Sequence, residues 1–403
     1  MSAVSPFQVI LVRHREDMEG LPYQEAVDRA FKGGTNVSGY LASGEDLGVE
    51  VRKFDATPQV QNPLADLLNA VGHTLVVVII DYEALRDGKL LDWIEACWKL
   101  IRPSQDRHRL LLLTLDERVG DKLLEARPAL ETNQLATPQQ LGERAIRPAL
   151  FSLRVLHDAR VILASALHSG ATDSPAPGFL RLFISHAKLD GLPLAHALKH
   201  QIESIPWLRS FYDARDLASE SDWQRALEEA VASSLLVILR TDAYEHRWWC
   251  RQEAFWSEEY ATPTVLVEAR PGLAYPGVEL PLERMPSIRI PDGNLLRILH
   301  AALREGLRYL LFQRRVEQMK AEGIVPKSGK LRVFSYPPSM AALLRACREL
   351  AAVSSVTADS NLILYPDPPL RTGLYEAANA LVAANAPGVR LLTPETLATK
   401  PIS

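Results

Sequence analysis

The chain has 403 residues, of which 47% are hydrophobic, and its formal net charge at pH 7 is -4. This length favours roughly two or three domains with buried cores, and the charge gives no sign of the basic surface that holds nucleic acid. No apolar run approaches the length of a membrane span, the amino terminus lacks the features of a signal peptide, and the three cysteines lie far apart. We therefore expect a cytoplasmic protein without a membrane partner or a disulfide framework.

The first part of the chain alternates between apolar strands and amphipathic helices. The runs 74–80 and 110–115 are almost wholly apolar, as parallel strands covered on both faces are. A helix through Trp93, Cys97 and Leu100 lies between these two runs. Further strands are predicted at 7–12 and 49–54, and further helices at 23–31 and 63–71. The alternation predicts a doubly wound α/β domain with a flavodoxin-like parallel sheet.

Two segments without apolar periodicity divide the chain. Residues 168–178 hold two prolines and two glycines, so we expect a linker there. A shorter break at 326–329 follows a long predicted helix that begins at Asn294. The last segment alternates strands and helices once more. The predicted organisation is an amino-terminal α/β domain over 1–167, a central domain over 179–322 and a small carboxyl-terminal α/β segment over 330–403.

Polar residues follow the predicted strands of the central domain. The first strand of this domain ends at Ser185 and His186, and the polar run 211–217 and Trp223 come after the next helix. A second buried strand is predicted at 234–239. In an open α/β sheet, ligands bind beyond the carboxyl ends of the strands. We therefore expect these polar segments to converge on one site.

The helix after this second strand carries a carboxylate within an aromatic face. Trp249, Glu253, Trp256 and Tyr260 follow one another at spacings of four, three and four residues. Such spacing places them on one side of a helix, so Glu253 is expected to be partly desolvated. Two interpretations stay open from the residues alone: a glutamate that acts on a ligand, and a glutamate held in a structural ion pair.

Taken in order, these segments resemble a TIR (Toll/interleukin-1 receptor) domain of the bacterial kind. The matching sequences are FISH, YDARDL with a following tryptophan, SSLLVILR and WCRQE. The predicted strand at 263–267 and the long helix from Asn294 extend the match, which covers residues 178–319. The resemblance implies a flavodoxin-like sheet. It also implies that Glu253 corresponds to the catalytic glutamate of TIR domains that cleave NAD+.

The resemblance implies further residues of the site. Ser185, Asp213 and Arg215 are expected to line the substrate pocket, and Trp223 and Trp249 to offer aromatic surface to a planar ring. NAD+ is the implied substrate, and neither a metal nor a further cofactor is expected. One departure from the family is the loop before Trp223, which contains no glycine, the residue that permits a left-handed turn.

The implied reaction breaks the bond between nicotinamide and ribose. Nicotinamide is already cationic in NAD+ and leaves readily, and a carboxylate stabilises the positive charge left on the ribose or holds its hydroxyls. The product is ADP-ribose or a cyclised form. By the same resemblance, we expect a bacterial immune effector that assembles through its TIR domain. Its flanking segments would receive a protein or small-molecule trigger.

Other interpretations stay open beside this one. The chain is alternatively a non-enzymatic adapter or scaffold, in which the fold supplies assembly surfaces and Glu253 pairs with an arginine. The flanking segments are either degenerate TIR-like units or ordinary α/β repeats. His196 and His200 have a spacing known from metal sites, but no third ligand stands near them in the sequence, so no metal site is predicted.

Overall fold

Within the described residues, the computed structural model contains thirteen α-helices and three β-sheets, and every strand pair in those sheets is parallel. The predicted α/β class with flavodoxin-like parallel sheets is thereby confirmed. The structure describes residues 6–33, 46–55, 72–131, 134–168, 181–208, 211–212, 223–270, 281–290, 293–325, 330–351, 361–367 and 369–399.

The described residues form two compact units. The first unit consists of the described residues within Met1–Leu180, His200–Arg209 and Pro291–Leu311. The second unit consists of the described residues within Arg181–Lys199, Ser210–Ile290 and Phe312–Ser403. The predicted carboxyl-terminal segment therefore belongs to the same unit as the central sheet, while two pieces of the predicted central domain belong to the first unit. The predicted linker at 168–178 lies almost wholly outside the described residues.

The first unit is built on a five-stranded sheet with the order β2-β1-β3-β4-β5. Its strands are β1 (Phe7–Arg13), β2 (Glu50–Phe54), β3 (His73–Ile80), β4 (His108–Thr114) and β5 (Leu135–Ala136). Every residue of β1 and β3 is buried, as expected for central parallel strands with helices on both faces. This strand order is that of flavodoxin-like folds.

Three helices of the first unit begin at an aspartate that bonds free N–H groups of the first turn. Asp81, Asp87 and Asp116 each accept such a bond, at the starts of the helices Tyr82–Arg86, Gly88–Ile101 and Glu117–Ala126. The helices of this part of the chain are α1 (Leu21–Lys32), α2 (Tyr82–Arg86), α3 (Gly88–Ile101), α4 (Glu117–Ala126), α5 (Pro138–Leu141) and α6 (Arg147–His168). The predicted helix at 63–71 lies outside the described residues.

The second unit contains a five-stranded sheet of the same topology, in the order β10-β9-β8-β6-β7. Its strands are β6 (Leu182–His186), β7 (Phe211–Tyr212), β8 (Leu235–Arg240), β9 (Thr264–Glu268) and β10 (Ser287–Arg289). The strand order reverses between β6 and β8, which are neighbours although β7 lies between them in sequence. In such sheets the crevice for ligands opens at this reversal.

Four helices accompany this part of the chain. They are α7 (Leu192–Glu203), α8 (Trp223–Ser233), α9 (Trp248–Glu259) and α10 (Leu295–Ala321). Helices α8 and α9 pack against each other. Residues of α8, α9 and the two central strands share one hydrophobic core, so the position of α9 is fixed by the packing on β6 and β8.

A small third sheet completes the second unit, with the order β11-β12-β13. Its strands and helices are β11 (Leu331–Val333), α11 (Met340–Ala351), β12 (Leu362–Leu364), α12 (Thr372–Asn385), β13 (Arg390–Leu392) and α13 (Pro394–Thr399). Helices α11 and α12 pack on each other over a core of their own. Tyr336, which follows β11, is buried in the core of the central sheet instead.

No helix in the described ranges has both the length and the apolar character that crossing a membrane requires.

The turn after β6 requires glycine at position 191. A Cβ there would lie 2.9 Å from the carbonyl oxygen of Ala187 and 3.2 Å from Cβ of His186, and neither atom belongs to a flexible side-chain end. We expect Gly191→Ala to destabilise the fold by about 1–3 kcal/mol, as overpacking does. The measurement is the midpoint of urea unfolding.

Gly373 serves as the matched control, because it lies in α12 and a Cβ there meets nothing within 4 Å. Gly373→Ala should leave stability unchanged or raise it by about 0.5–1 kcal/mol through its better helix propensity. Equal effects of the two substitutions would contradict this account of the turn.

Candidate active site

Ser185 lies at the reversal point of the central sheet. It is the fourth residue of β6 and pairs with Ile238 of β8, and only 1% of it is exposed. The preceding residues of the strand are apolar, so packing fixes the backbone from which this hydroxyl projects. The sequence predicts that this strand ends in polar residues at the sheet edge. In the structure, the hydroxyl of Ser185 at that position is buried and fixed.

Glu253 meets this hydroxyl from helix α9. Its Oε2 accepts a hydrogen bond from Oγ of Ser185, and 7% of the residue is exposed. Burial raises the pKa of Glu253 to about 7, because the charged form loses its hydration, and the bond from Ser185 opposes that rise. Near neutral pH the carboxyl is therefore divided between its two protonation states.

The other oxygen of this carboxyl, Oε1, has no hydrogen-bond partner in the described part of the chain. There Glu253 also forms no salt bridge, so the ion-pair interpretation of this residue finds no partner arginine. Within the described residues, the carboxyl is thus hydrogen-bonded through one oxygen only. This geometry suits a carboxylate that meets a positive charge or a hydroxyl of a ligand.

Tyr244 is a third member of this group, which the sequence reasoning missed. Its hydroxyl lies 2.6 Å from Oγ of Ser185 and 3.1 Å from the carbonyl oxygen of Cys250, so its one proton can be donated to either oxygen. Tyr244 is fully buried, and burial raises the pKa of its hydroxyl well above the ordinary value. No local pattern marks this tyrosine, because it lies in a short turn between β8 and α9.

Aromatic rings cluster at the amino-terminal end of α9. The rings of Trp223 and Trp249 meet edge to face, with centroids 4.2 Å apart, and Trp248 meets Trp249 in the same way at 4.3 Å. Trp223 and Trp249 are half-buried, whereas Trp248 is 52% exposed. The structure therefore brings together both predicted tryptophans, one helical turn before Glu253.

The remaining predicted residues have different outcomes. Asp213 and Arg215 lie outside the described residues. Trp256 is buried as the aromatic face of α9 predicts, but Tyr260 follows the helix end and is exposed. The predicted face therefore ends one turn early. The described residues contain no group of three or more His, Cys, Asp or Glu side chains placed to hold a metal ion.

The carboxylate of Asp190 connects two loops at the carboxyl ends of β6 and β8. Asp190, in the turn after β6, accepts bonds from the hydroxyl of Thr241 at 2.6 Å and from the backbone N–H of Ala243 at 2.9 Å. Both partners follow β8 directly. Asp190 therefore joins the loops that follow the two strands of the reversal point, and it fixes the turn that leads into Tyr244.

The carboxyl-terminal half of α9 is held by the segment after β11. Glu258 is only 1% exposed, and its carboxylate accepts bonds from the N–H of Ser339 at 2.6 Å and from the hydroxyl of Ser339 at 2.8 Å. The same hydroxyl accepts from the N–H of Ala342 at 3.1 Å at the start of α11. The hydroxyl of Tyr336 lies 3.4 Å from that of Ser257. This segment thus anchors the helix that carries Glu253.

A comparison of the chain with models of known protein families gave no match. A comparison with curated proteins gave no relative either.

The raised pKa of Glu253 predicts a pH-dependent stability. Glu253 titrates near 7 when folded and near its ordinary 4.5 when unfolded, so the folded chain binds the proton more tightly. Its protonation stabilises the fold at low pH, and that contribution is lost as the pH rises from 4.5 to 7. The loss is about 3 kcal/mol, at 1.36 kcal/mol per pKa unit.

Glu253→Gln removes this titration and keeps nearly the same volume. We expect the variant to be as stable as the natural chain near pH 4.5 and more stable by up to about 3 kcal/mol at pH 8. Urea unfolding of both proteins across this range measures the difference. Parallel stability curves would show that Glu253 has an ordinary pKa.

Ser339 gives a second stability test. Ser339→Ala removes the hydroxyl that bonds Glu258 and caps α11, and we expect a loss of about 1–2 kcal/mol. Ser233→Ala is the control, because that exposed hydroxyl bonds only the carbonyl of Glu229 in its own helix. A loss at Ser339 no larger than that at Ser233 would contradict the anchoring role of this contact.

Proposed function

We propose that the chain cleaves NAD+ between nicotinamide and ribose, with Glu253 as the catalytic carboxylate. The observation that carries the proposal is the buried carboxyl of Glu253, which Ser185 holds through one oxygen and whose other oxygen has no partner among the described residues. It lies where the strand order reverses, the usual position for a ligand in this architecture. The resemblance of the surrounding motifs to NAD-cleaving TIR domains supports the choice of substrate.

Cleavage of the bond between nicotinamide and ribose is favoured by a desolvated carboxylate such as that of Glu253. Departure of nicotinamide leaves positive charge on the ribose, and a desolvated carboxylate stabilises that charge more strongly than a hydrated one. The tryptophan rings beside the start of α9 offer apolar surface for a planar ring. Asp213 and Arg215 stay predicted pocket residues, and the product, ADP-ribose or a cyclised form, stays open.

The proposal extends to the biological setting. We propose an effector of bacterial immunity that assembles through the TIR-like unit and is controlled by a trigger acting on the flanking segments. The alternative function, a non-enzymatic adapter, has less support from the contacts of Glu253. It paired Glu253 with an arginine, whereas the partner that the described residues provide is the uncharged Ser185.

The decisive test is release of nicotinamide from NAD+ by concentrated protein. We expect Glu253→Gln to lower turnover by about 100-fold to 1000-fold, since the amide cannot stabilise positive charge as a carboxylate does. The variant should remain folded, because Gln avoids the cost of a buried charge. Light scattering should verify that both proteins have the same assembly state.

Glu229→Gln is the matched control. Glu229 lies on the neighbouring helix α8 in an exposed ion pair with Arg225. The Glu229→Gln variant should retain full turnover. Full nicotinamide release by Glu253→Gln at equal assembly would overturn the catalytic assignment. Absence of release from the natural chain at every concentration and assembly state would favour the adapter function.

A further inference from the structure

We propose that Tyr244 is a positioning residue for the carboxyl of Glu253 and that it acts through Ser185. The inference rests on the proposed catalytic function of Glu253 for its kinetic consequences, but not for its structural ones. Its basis is a chain of three side chains: Tyr244 contacts Ser185, and Ser185 contacts Glu253. No contact between Tyr244 and Glu253 is required.

The number of hydroxyl protons determines which group donates and which accepts along this hydrogen-bonded chain of side chains. A serine hydroxyl has one proton, and in the ionised state of Glu253 that proton is donated to the carboxylate. The 2.6 Å contact between Ser185 and Tyr244 then needs the proton of the tyrosine. Tyr244 donates to Ser185, and Ser185 donates to Glu253. A hydroxyl that accepts a bond becomes a stronger donor, so Tyr244 strengthens the bond that holds Oε2.

The same three groups also accommodate a protonated Glu253. When Oε1 carries the proton, the directions stay as in the ionised state. When Oε2 carries it, that proton is donated to Ser185, Ser185 donates to Tyr244, and Tyr244 donates to the carbonyl oxygen of Cys250. That carbonyl lies 3.1 Å away and gives the tyrosine an acceptor in the reversed direction. Each hydroxyl keeps one bond to donate in both states. The chain therefore fits a carboxyl that gains and loses a proton during turnover.

Such a change is required by the proposed reaction. The bond between the ribose carbon and nicotinamide nitrogen breaks, and its electron pair leaves with nicotinamide. Water or a hydroxyl of the substrate forms the new bond to that carbon and loses a proton. Glu253 accepts this proton at Oε1 and later releases it to solvent. Oε2 stays unprotonated throughout and keeps accepting the hydrogen bond from Ser185, so the hydroxyl chain holds the carboxyl in place without reversing.

The charged groups nearby have partners of their own. Glu245, next to Tyr244, receives hydrogen bonds from the guanidinium of Arg240. Asp190 is bonded by Thr241 and Ala243, and Cys250 has its pKa raised by burial and by Glu253. The pKa of Glu253 responds to burial first and to Ser185 second. Ser185 is therefore the polar group that opposes the effect of burial on the pKa of Glu253.

A double-mutant cycle in the full chain tests the proposal. Tyr244→Phe removes the hydroxyl from a fully buried ring, Ser185→Ala removes the middle member of the chain, and the double variant removes both. The matched control is Tyr365→Phe, which deletes the hydroxyl of another buried tyrosine in the same unit, bonded to the N–H of Leu370. Two readouts are taken: turnover of NAD+ and titration of the Glu253 carboxyl by carbon NMR.

We expect Tyr244→Phe to lower turnover about fivefold to tenfold at nearly constant KM, and Ser185→Ala to lower it about 30-fold. In the Ser185→Ala background, Tyr244→Phe should have no further effect, because its path to Glu253 is already cut. Both single variants should raise the pKa of Glu253, Ser185→Ala more than Tyr244→Phe. Tyr365→Phe should change neither readout.

The proposal is overturned if Tyr244→Phe has the same effect with and without Ser185, or if it changes neither the titration nor turnover. If Tyr244→Phe does not fold, 3-fluorotyrosine at this position replaces it. Its stronger hydroxyl donor should lower the pKa of Glu253, and an unchanged pKa would overturn the proposal. If the natural chain releases no nicotinamide, the proposed function fails, and the carboxyl titration alone decides the role of Tyr244.

Discussion

A single hydrogen bond from Ser185 is the polar contact that holds the buried carboxyl of Glu253, and the architecture of the second unit makes this arrangement possible. Burial of the ionised group costs about 3 kcal/mol at high pH, which is a large share of the stability of an ordinary domain. The apolar strands β6 and β8 and the packing of α8 on α9 offset this cost. Those elements bury the residues of one shared core.

Helix α9 is held at two places that differ in chemistry. Its first half is fixed by the chain from Tyr244 through Ser185 to Glu253. Its second half is fixed by Glu258, whose buried carboxylate bonds Ser339 at the start of α11. A shift of the segment after β11 would therefore move the helix relative to β6. The carboxyl-terminal segment is in this sense a structural part of the candidate site, although it contributes no residue to it.

Much of the two five-stranded sheets could be predicted because their signals are local. The run 74–80 and the strand ending at Ser185 are apolar enough to identify buried parallel strands, and the spacing of Trp249, Glu253 and Trp256 predicts the buried face of α9. Strands β5 and β10 were missed because two or three residues carry no periodicity.

The contacts of the site were harder to predict, for a physical reason. Tyr244 is separated from Ser185 by 59 residues, and Glu258 from Ser339 by 81 residues. Each pair is created by strand order and helix packing, not by any local pattern. A polar residue that is buried only after the sheet has formed looks, in the sequence, like an ordinary turn residue. Glu253 was recognisable because its aromatic neighbours lie on the same helix.

The energetics of the free site and of the proposed complex are complementary. A carboxylate about 4 Å from a cationic ring gains roughly 4 kcal/mol at the effective dielectric constant of a partly exposed site. This gain exceeds the cost of about 3 kcal/mol for ionising Glu253 in the empty site. In the proposed complex, a cationic substrate would therefore lower the pKa of Glu253 and expel its proton at neutral pH. The same burial that destabilises the charged carboxyl in the free protein would, in that complex, make its ionisation depend on the charge of the proposed ligand.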